Sequence, residues 1–127
     1  MIRLINVSYT NEYSVDLSKI TIELTVEDSL NNFKRIKDEF FINYERKFHS
    51  TDSKLLINVV FQFRSKINDN VTITNTELID LVQSHKRQYV LSAPSEASLI
   101  ISNILKSAGF PSVITKPTFI EETEDKQ

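Results

Sequence analysis

The sequence predicts an α+β fold in which a four-stranded antiparallel sheet comes first and an interrupted helical region packs on one of its faces. Three observations carry this expectation. Apolar residues recur with a period of two through the first half of the chain, and after Asn68-Asp69-Asn70 the period changes to about 3.6. The only glycine, Gly109, then stands where an apolar helix must stop, with Pro111 two residues beyond it. At 127 residues the chain is long enough for one domain that buries roughly two thirds of the surface its unfolded form exposes. Residues 1–120 are expected to form that domain, and 121–127, acidic and free of apolar side chains, a disordered tail.

In the first strand Arg3, Ile5, Val7 and Tyr9 alternate with Leu4, Asn6, Ser8 and Thr10. The second places Ile20, Ile22, Leu24 and Val26 on one face and Thr21, Glu23, Thr25 and Glu27 on the other, the mark of a half-buried strand. Asp28-Ser29-Leu30-Asn31-Asn32 has the side chains of a turn. A third strand is predicted from about Arg35 to Phe48, with Ile36, Phe40, Ile42, Tyr44 and Phe48 sharing a face, and a turn at His49–Ser53 follows. The fourth, from about Leu55 to Arg64, turns Leu55, Ile57, Val59, Phe61 and Phe63 inward. Such strands form a meander or a Greek key.

The first helix is predicted from an N-cap at Thr76, with Leu78, Leu81, Val82, His85 and Tyr89 at helical spacing. Leu91-Ser92-Ala93-Pro94 interrupts it. A longer helix, Ser95–Ala108, follows with Ser92 or Ser95 as its cap, Pro94 in its first turn and Glu96 near the positive end of its dipole. Helices placed on the inner face of the sheet complete a two-layer domain.

Composition excludes several classes of function. The chain has no cysteine, which fits a reducing cytoplasm and rules out thiol chemistry and Cys-based metal sites. The N-terminal apolar run has only a strand's length, so no signal peptide is expected, and no segment reaches the ~18 apolar residues of a membrane span. A single glycine excludes Gly-rich phosphate loops and dinucleotide fingerprints. His49 and His85 lack the partners that metal binding or a helical-face pair would need, so no cofactor, metal or catalytic residue is assigned. The net charge of −2 gives no footprint for nucleic acid or membrane. Lys34-Arg35-Lys37, Arg46-Lys47 and Lys86-Arg87 are interleaved with acids and are read as solvated faces. Phe41, Leu56 and Val60 fall by parity on the outer side of the sheet, as isolated surface side chains, as edges of a second small core or as a contact surface.

The segment Leu91–Phe119 narrows the reading. Leu91-Ser92-Ala93-Pro94, the Ile101-Ser102 pair, Gly109-Phe110-Pro111 and Lys116-Pro117-Thr118-Phe119 occur in the order and approximate spacing seen in the SecB family of bacterial chaperones, which this chain resembles over residues 2 to 120. That family has a Phe-Pro-Tyr-Ala-type opening to its main helix, a Gly-Phe-Pro exit and a Pro-x-Asn-Phe segment. Ser95 here replaces the tyrosine after the opening.

The resemblance implies a homotetramer, a dimer of dimers with eight-stranded sheets across subunits, that holds unfolded polypeptide without ATP. Phe41, Leu56, Val60, Phe110 and Phe119 are then the candidate client- or partner-binding residues, or residues of the subunit interface. Export members deliver preproteins to the SecA motor through acidic surface and a further C-terminal helix. This chain stops seven residues after Ile120, so contact with SecA is not expected. Other members each keep one antitoxin soluble in a toxin–antitoxin system, and that role is preferred here. General export, an adaptor role without chaperone activity, and an enzyme built around His85 or His49 are the alternatives.

Overall fold

Side-chain parity decides most of the sheet. The computed structural model describes residues 1–14, 21–67, 72–110 and 113–121. Within them lie β1 (Ile2–Asn11), β2 (Leu24–Ile36), β3 (Glu39–Ser50) and β4 (Leu55–Lys66), followed by α1 (Asn75–Ser84), α2 (Lys86–Val90) and α3 (Ala93–Ser107). The strands form one antiparallel sheet in the order β1-β4-β3-β2. Three hairpin-linked strands with β1 returned beside β4 make a Greek key, so that alternative holds and the meander does not. Ile20, Asn68-Asp69-Asn70, Pro111 and the tail beyond Glu121 lie outside the described residues.

Several strand boundaries differ from the sequence reading. Asp28–Asn32 is not a turn but the interior of β2, because the alternation continues through it: Asp28 faces Arg46 and Leu30 faces Tyr44, while Ser29 and Asn31 point the other way. The asparagines supply a β-bulge instead, with the register shifting between Asn31 and Lys34 and Asn32 at φ 54°. The chain reverses at Lys37-Asp38, where Lys37 takes φ 56°. Ile36 therefore sits opposite Glu39 on the outer face and is 52% exposed, rather than inside with Phe40. A second bulge between Leu4 and Asn6 resets β1, so that Ile2, Leu4, Val7 and Tyr9 share the inner face and the uniform alternation of Ile5 with Val7 is broken.

The helices also start earlier than their strongest sequence signals. Thr74, not Thr76, caps α1: its hydroxyl accepts the Glu77 N–H at 3.1 Å and reaches the Glu77 carboxylate at 2.9 Å. The single first helix is broken at His85 into α1 and α2, and Leu91, at φ 52°, turns the chain into α3. Ser92 is the N-cap of α3 without a side-chain bond, and Ser95 lies inside the helix.

At the far end Gly109, at φ 87°, donates to Lys106 O while Phe110 donates to Leu105 O at 2.9 Å. This is a Schellman motif, and it needs the left-handed conformation that only glycine adopts without strain.

Helices cover the inner face in two places. Ala93, Ala97, Ile101 and Leu105 of α3 pack on Tyr44, Phe48, Leu55, Ile57, Val59 and Phe61. Leu78 and Val82 of α1 pack on Phe40, Ile42 and Phe63, with Tyr89 edge-on to Phe63 at 5.3 Å. Ile2 and Leu30 touch both clusters and join them.

Candidate functional site

The segment 113–121 crosses the inner side of the sheet, and one buried side chain fixes it there. Arg46, expected with Lys47 on a solvated face, is 0% exposed. Its Nε and Nη2 donate to the two carboxylate oxygens of Asp28, each at 2.7 Å. Nη2 also donates to Thr118 O at 2.9 Å, and Nη1 to Thr115 Oγ1 at 3.0 Å and to Lys116 O. Asp28 in turn accepts from the Tyr44 hydroxyl at 3.0 Å and from the Ile120 N–H at 2.8 Å. Ser98 on α3 adds a bond to Thr115 O at 2.7 Å.

Burial alone would lower the Arg46 pKa, but its bonds to Asp28 outweigh that and raise it. Burial drives the Tyr44 phenol upward, and the neighbouring Asp28 charge adds to this. Parity gives a signal for each position, though not for their pairing. Position 46 lies between inward Tyr44 and Phe48, and position 28 between Val26 and Leu30.

The candidate contact residues do not gather in one place. Phe41, Leu56 and Val60 lie on the outer face as parity required. Leu56 and Val60 are four residues apart on β4, about 13 Å, and Phe41 is opposite Arg64, four residues further on. Asn58 and Gln62 separate them, so they form a line rather than a patch. Phe41 and Leu56 are half-buried, and Val60 is 9% exposed beside Asn6 and Glu45. Phe110 is half-buried against the core at the α3 exit. Phe119 is 3% exposed and packs with its ring tilted against Tyr44 at 5.9 Å, which makes it a core residue in this chain. Lys86 covers its ring at 5.2 Å and reaches Glu121 at 3.5 Å. Beside them a polar groove of ≈ 630 Å³ runs along the free edge of β2, lined in part by Glu27, Asp28, Leu30 and Lys47.

A second exposed apolar surface is on the inner side of β1, where the helices leave the side chains beyond Ile2 partly uncovered. Leu4, Val7 and Tyr9 remain 40–46% exposed, and Tyr9 opens onto Asn103, Ile104 and Ser107 of α3 and its C-cap, Ala108. Leu99, on the solvent side of α3, is 63% exposed. The sequence hid this surface because inward parity ordinarily means burial, whereas β1 stands at the sheet edge and the α3 core packs on β3 and β4.

The two histidines stand in different settings. His85 is exposed, with Nδ1 3.0 Å from Leu81 O. His49, at the end of β3 rather than in the turn, lies 3.4 Å from the Glu27 carboxylate, on the opposite face of the sheet from Asp28. Among the described residues no group of three or more His, Asp or Glu side chains is placed to hold a metal.

Neither a protein-family model nor a curated protein matches the sequence. Its structure is similar to that of the SecB-like chaperone Rv1957 of Mycobacterium tuberculosis, solved in complex with a ChAD peptide from the HigA1 antitoxin. The TM-score is 0.59 at 12% sequence identity, over 92% of this chain and 83% of that one. The chain therefore has a SecB-like α+β fold, as the order of motifs in Leu91–Phe119 implied.

Proposed function

We propose that the protein is an ATP-independent chaperone of the cytoplasm that holds unfolded or aggregation-prone polypeptide, and that its dedicated client is an antitoxin. The observation that carries this reading is the SecB-like fold, shared with a chaperone whose structure holds an antitoxin peptide. Exposed apolar side chains on β1, on α3 and on the outer sheet face supply surface for such work, and a holdase needs no catalytic group. Burying ~40 Å² of apolar area contributes about 1 kcal/mol, so several modest sites can retain a disordered chain despite its ordering cost. Phe41, Leu56 and Phe110 keep solvent-exposed surface and are the proposed client contacts; Val60 and Phe119, 9% and 3% exposed, present little surface to a client.

Assembly as a homotetramer multiplies these sites, and avidity then raises apparent affinity by ~10² or more. The free edge of β1, with Leu4, Val7 and Tyr9 exposed beside it, suits the strand pairing that would join two four-stranded sheets into one of eight.

The test is a tagged pull-down from the native cells, with mass spectrometry and native mass of what is recovered. One small partner at fixed stoichiometry on a tetramer is the expected result. Many secretory precursors would make the protein an export chaperone, and one folded partner with no protection of unfolded substrates would make it an adaptor.

A further inference from the structure

One end of the outer sheet face carries a charge opposite to that of the whole chain. The register sets Lys34 on β2 beside Phe41 on β3, and Phe41 beside Arg64 on β4. Lys66 pairs with Glu39, and Arg3 on β1 pairs with Gln62, one step along from Arg64. Four cations thus surround Phe41 against one carboxylate on this part of the face, in a chain of net charge −2. Glu39 is already engaged, accepting from Arg64 Nε at 2.6 Å and Nη2 at 2.8 Å. Lys34 and Lys66 are exposed and form no ion pair within 4 Å among the described residues. At the nearby hairpin tip Lys37 and Asp38 offset each other.

The apolar part of this surface is equally local. Arg64 lies over the Phe41 ring at 5.9 Å, a dent of ≈ 200 Å³ opens between Met1, Arg3, Phe41, Gln62 and Arg64, and Ile36 stands half-exposed at the β2 end.

The geometry points to a docking site, around Phe41, for an acidic polypeptide segment that carries an apolar side chain between its carboxylates. The inference rests on the chaperone reading only in taking the partner to be an unfolded polypeptide. Neighbouring strands are about 4.8 Å apart, so the cluster from Lys34 to Arg3 spans about 15 Å across the sheet. An extended segment crossing it places residues two apart about 7 Å from one another, which sets a carboxylate near Lys34 and another near Arg3 or Arg64 when its middle side chain meets Phe41. Single-stranded nucleic acid fits less well. It would need a track of cations with free aromatic faces for stacking, and here the cations form a compact cluster and Arg64 occupies the one ring.

The experiment is fluorescence anisotropy on the full chain with a labelled unstructured peptide in which glutamates flank a central leucine. Its glutamine analogue and an oligothymidylate serve as comparison probes. The Glu peptide is expected to bind, and to weaken about tenfold in an Arg3→Glu/Lys34→Glu/Lys66→Glu variant and by a similar factor at high salt, because exposed charges are screened. Phe41→Ala is expected to weaken it severalfold while leaving the salt dependence in place. Equal binding of the Gln analogue, undiminished binding to the triple variant, or displacement by oligothymidylate would each overturn the proposal, the last in favour of nucleic acid. Suppression of aggregation of a neutral client is measured on the same samples. Its survival in the triple variant separates this docking site from the general holding activity, and its absence from the unmutated protein counts against the chaperone reading alone.

Discussion

Arg46 and Asp28 face each other across β3 and β2 as an ion pair at 2.7 Å, with both side chains 0% exposed. Each is also bonded to the 113–121 segment, so the pair joins the sheet to the last part of the described chain. Arg46→Met leaves Asp28 charged and buried, with Thr115 and two backbone carbonyls deprived of a donor. The expected cost is about 3–5 kcal/mol in urea unfolding. An Asp28→Leu/Arg46→Met double variant removes the uncompensated charge but not the orphaned carbonyls. It should therefore regain part of the loss and remain below the unmutated protein; full recovery would mean that the segment contributes nothing through these bonds.

Asp52 holds the β3–β4 turn. It accepts from the Tyr13 hydroxyl and the Ser50 hydroxyl, both at 2.7 Å, and these bonds pull its pKa down to about 2 from 3.8. A carboxylate with a depressed folded pKa contributes stability that is present above its unfolded pKa and is lost as the pH falls through the folded one. Asp52→Asn should therefore lower the melting temperature at neutral pH, and the gap to the unmutated protein should close between about pH 4 and pH 2. A gap independent of pH in thermal melts would remove Asp52 ionisation as its cause.

At Gly109 an added Cβ would meet no atom within 4 Å, so the effect of substitution is confined to the backbone. At φ 87° an alanine is strained, and Gly109→Ala is expected to cost about 1 kcal/mol, or about 4 °C in melting temperature. Gly109→Asn should cost less, because asparagine tolerates the left-handed region. The two melts together distinguish conformational strain from lost packing.

Val7 and Tyr9 test the assembly. Lysine at both positions puts two charges on the inner side of the exposed β1 edge, where pairing with a second copy would bury them. Native mass should fall by half or more with the far-UV circular dichroism retained. An unchanged mass would move the interface elsewhere.

Polar replacement of Phe41, Leu56 and Val60 together should reduce suppression of client aggregation severalfold while the fold survives, since all three lie on the outer face away from both core clusters. Full protection by the triple variant would remove the outer face from the binding surface.

How far each feature could be read depended on whether its cause was local. Inward Phe40, Ile42, Tyr44 and Phe48, and Leu55 through Phe63 on alternate positions, are buried as their period requires, because a half-buried strand writes its own alternation. The helix stop at Gly109 was equally legible, since a left-handed cap is a property of one residue. By contrast, Asp28–Asn32 has turn chemistry that tertiary pairing overrode. Five consecutive residues can satisfy either a turn or a bulged strand, and the partner strand chose between them.

The sequence by itself therefore determined the α+β class, the parity of the central strands, the placement of helices on one face and the likeness to SecB-like proteins. Only the tertiary structure decided the Greek-key order, the burial of Arg46 with Asp28, the exposure of the β1 inner face and the gathering of Arg3, Lys34, Arg64 and Lys66 around Phe41. The reason is physical: periodicity records which way a side chain points along its own element, whereas its environment is fixed by neighbours 18 to 92 residues away, as the bonds of Asp28 to Arg46 and to Ile120 illustrate.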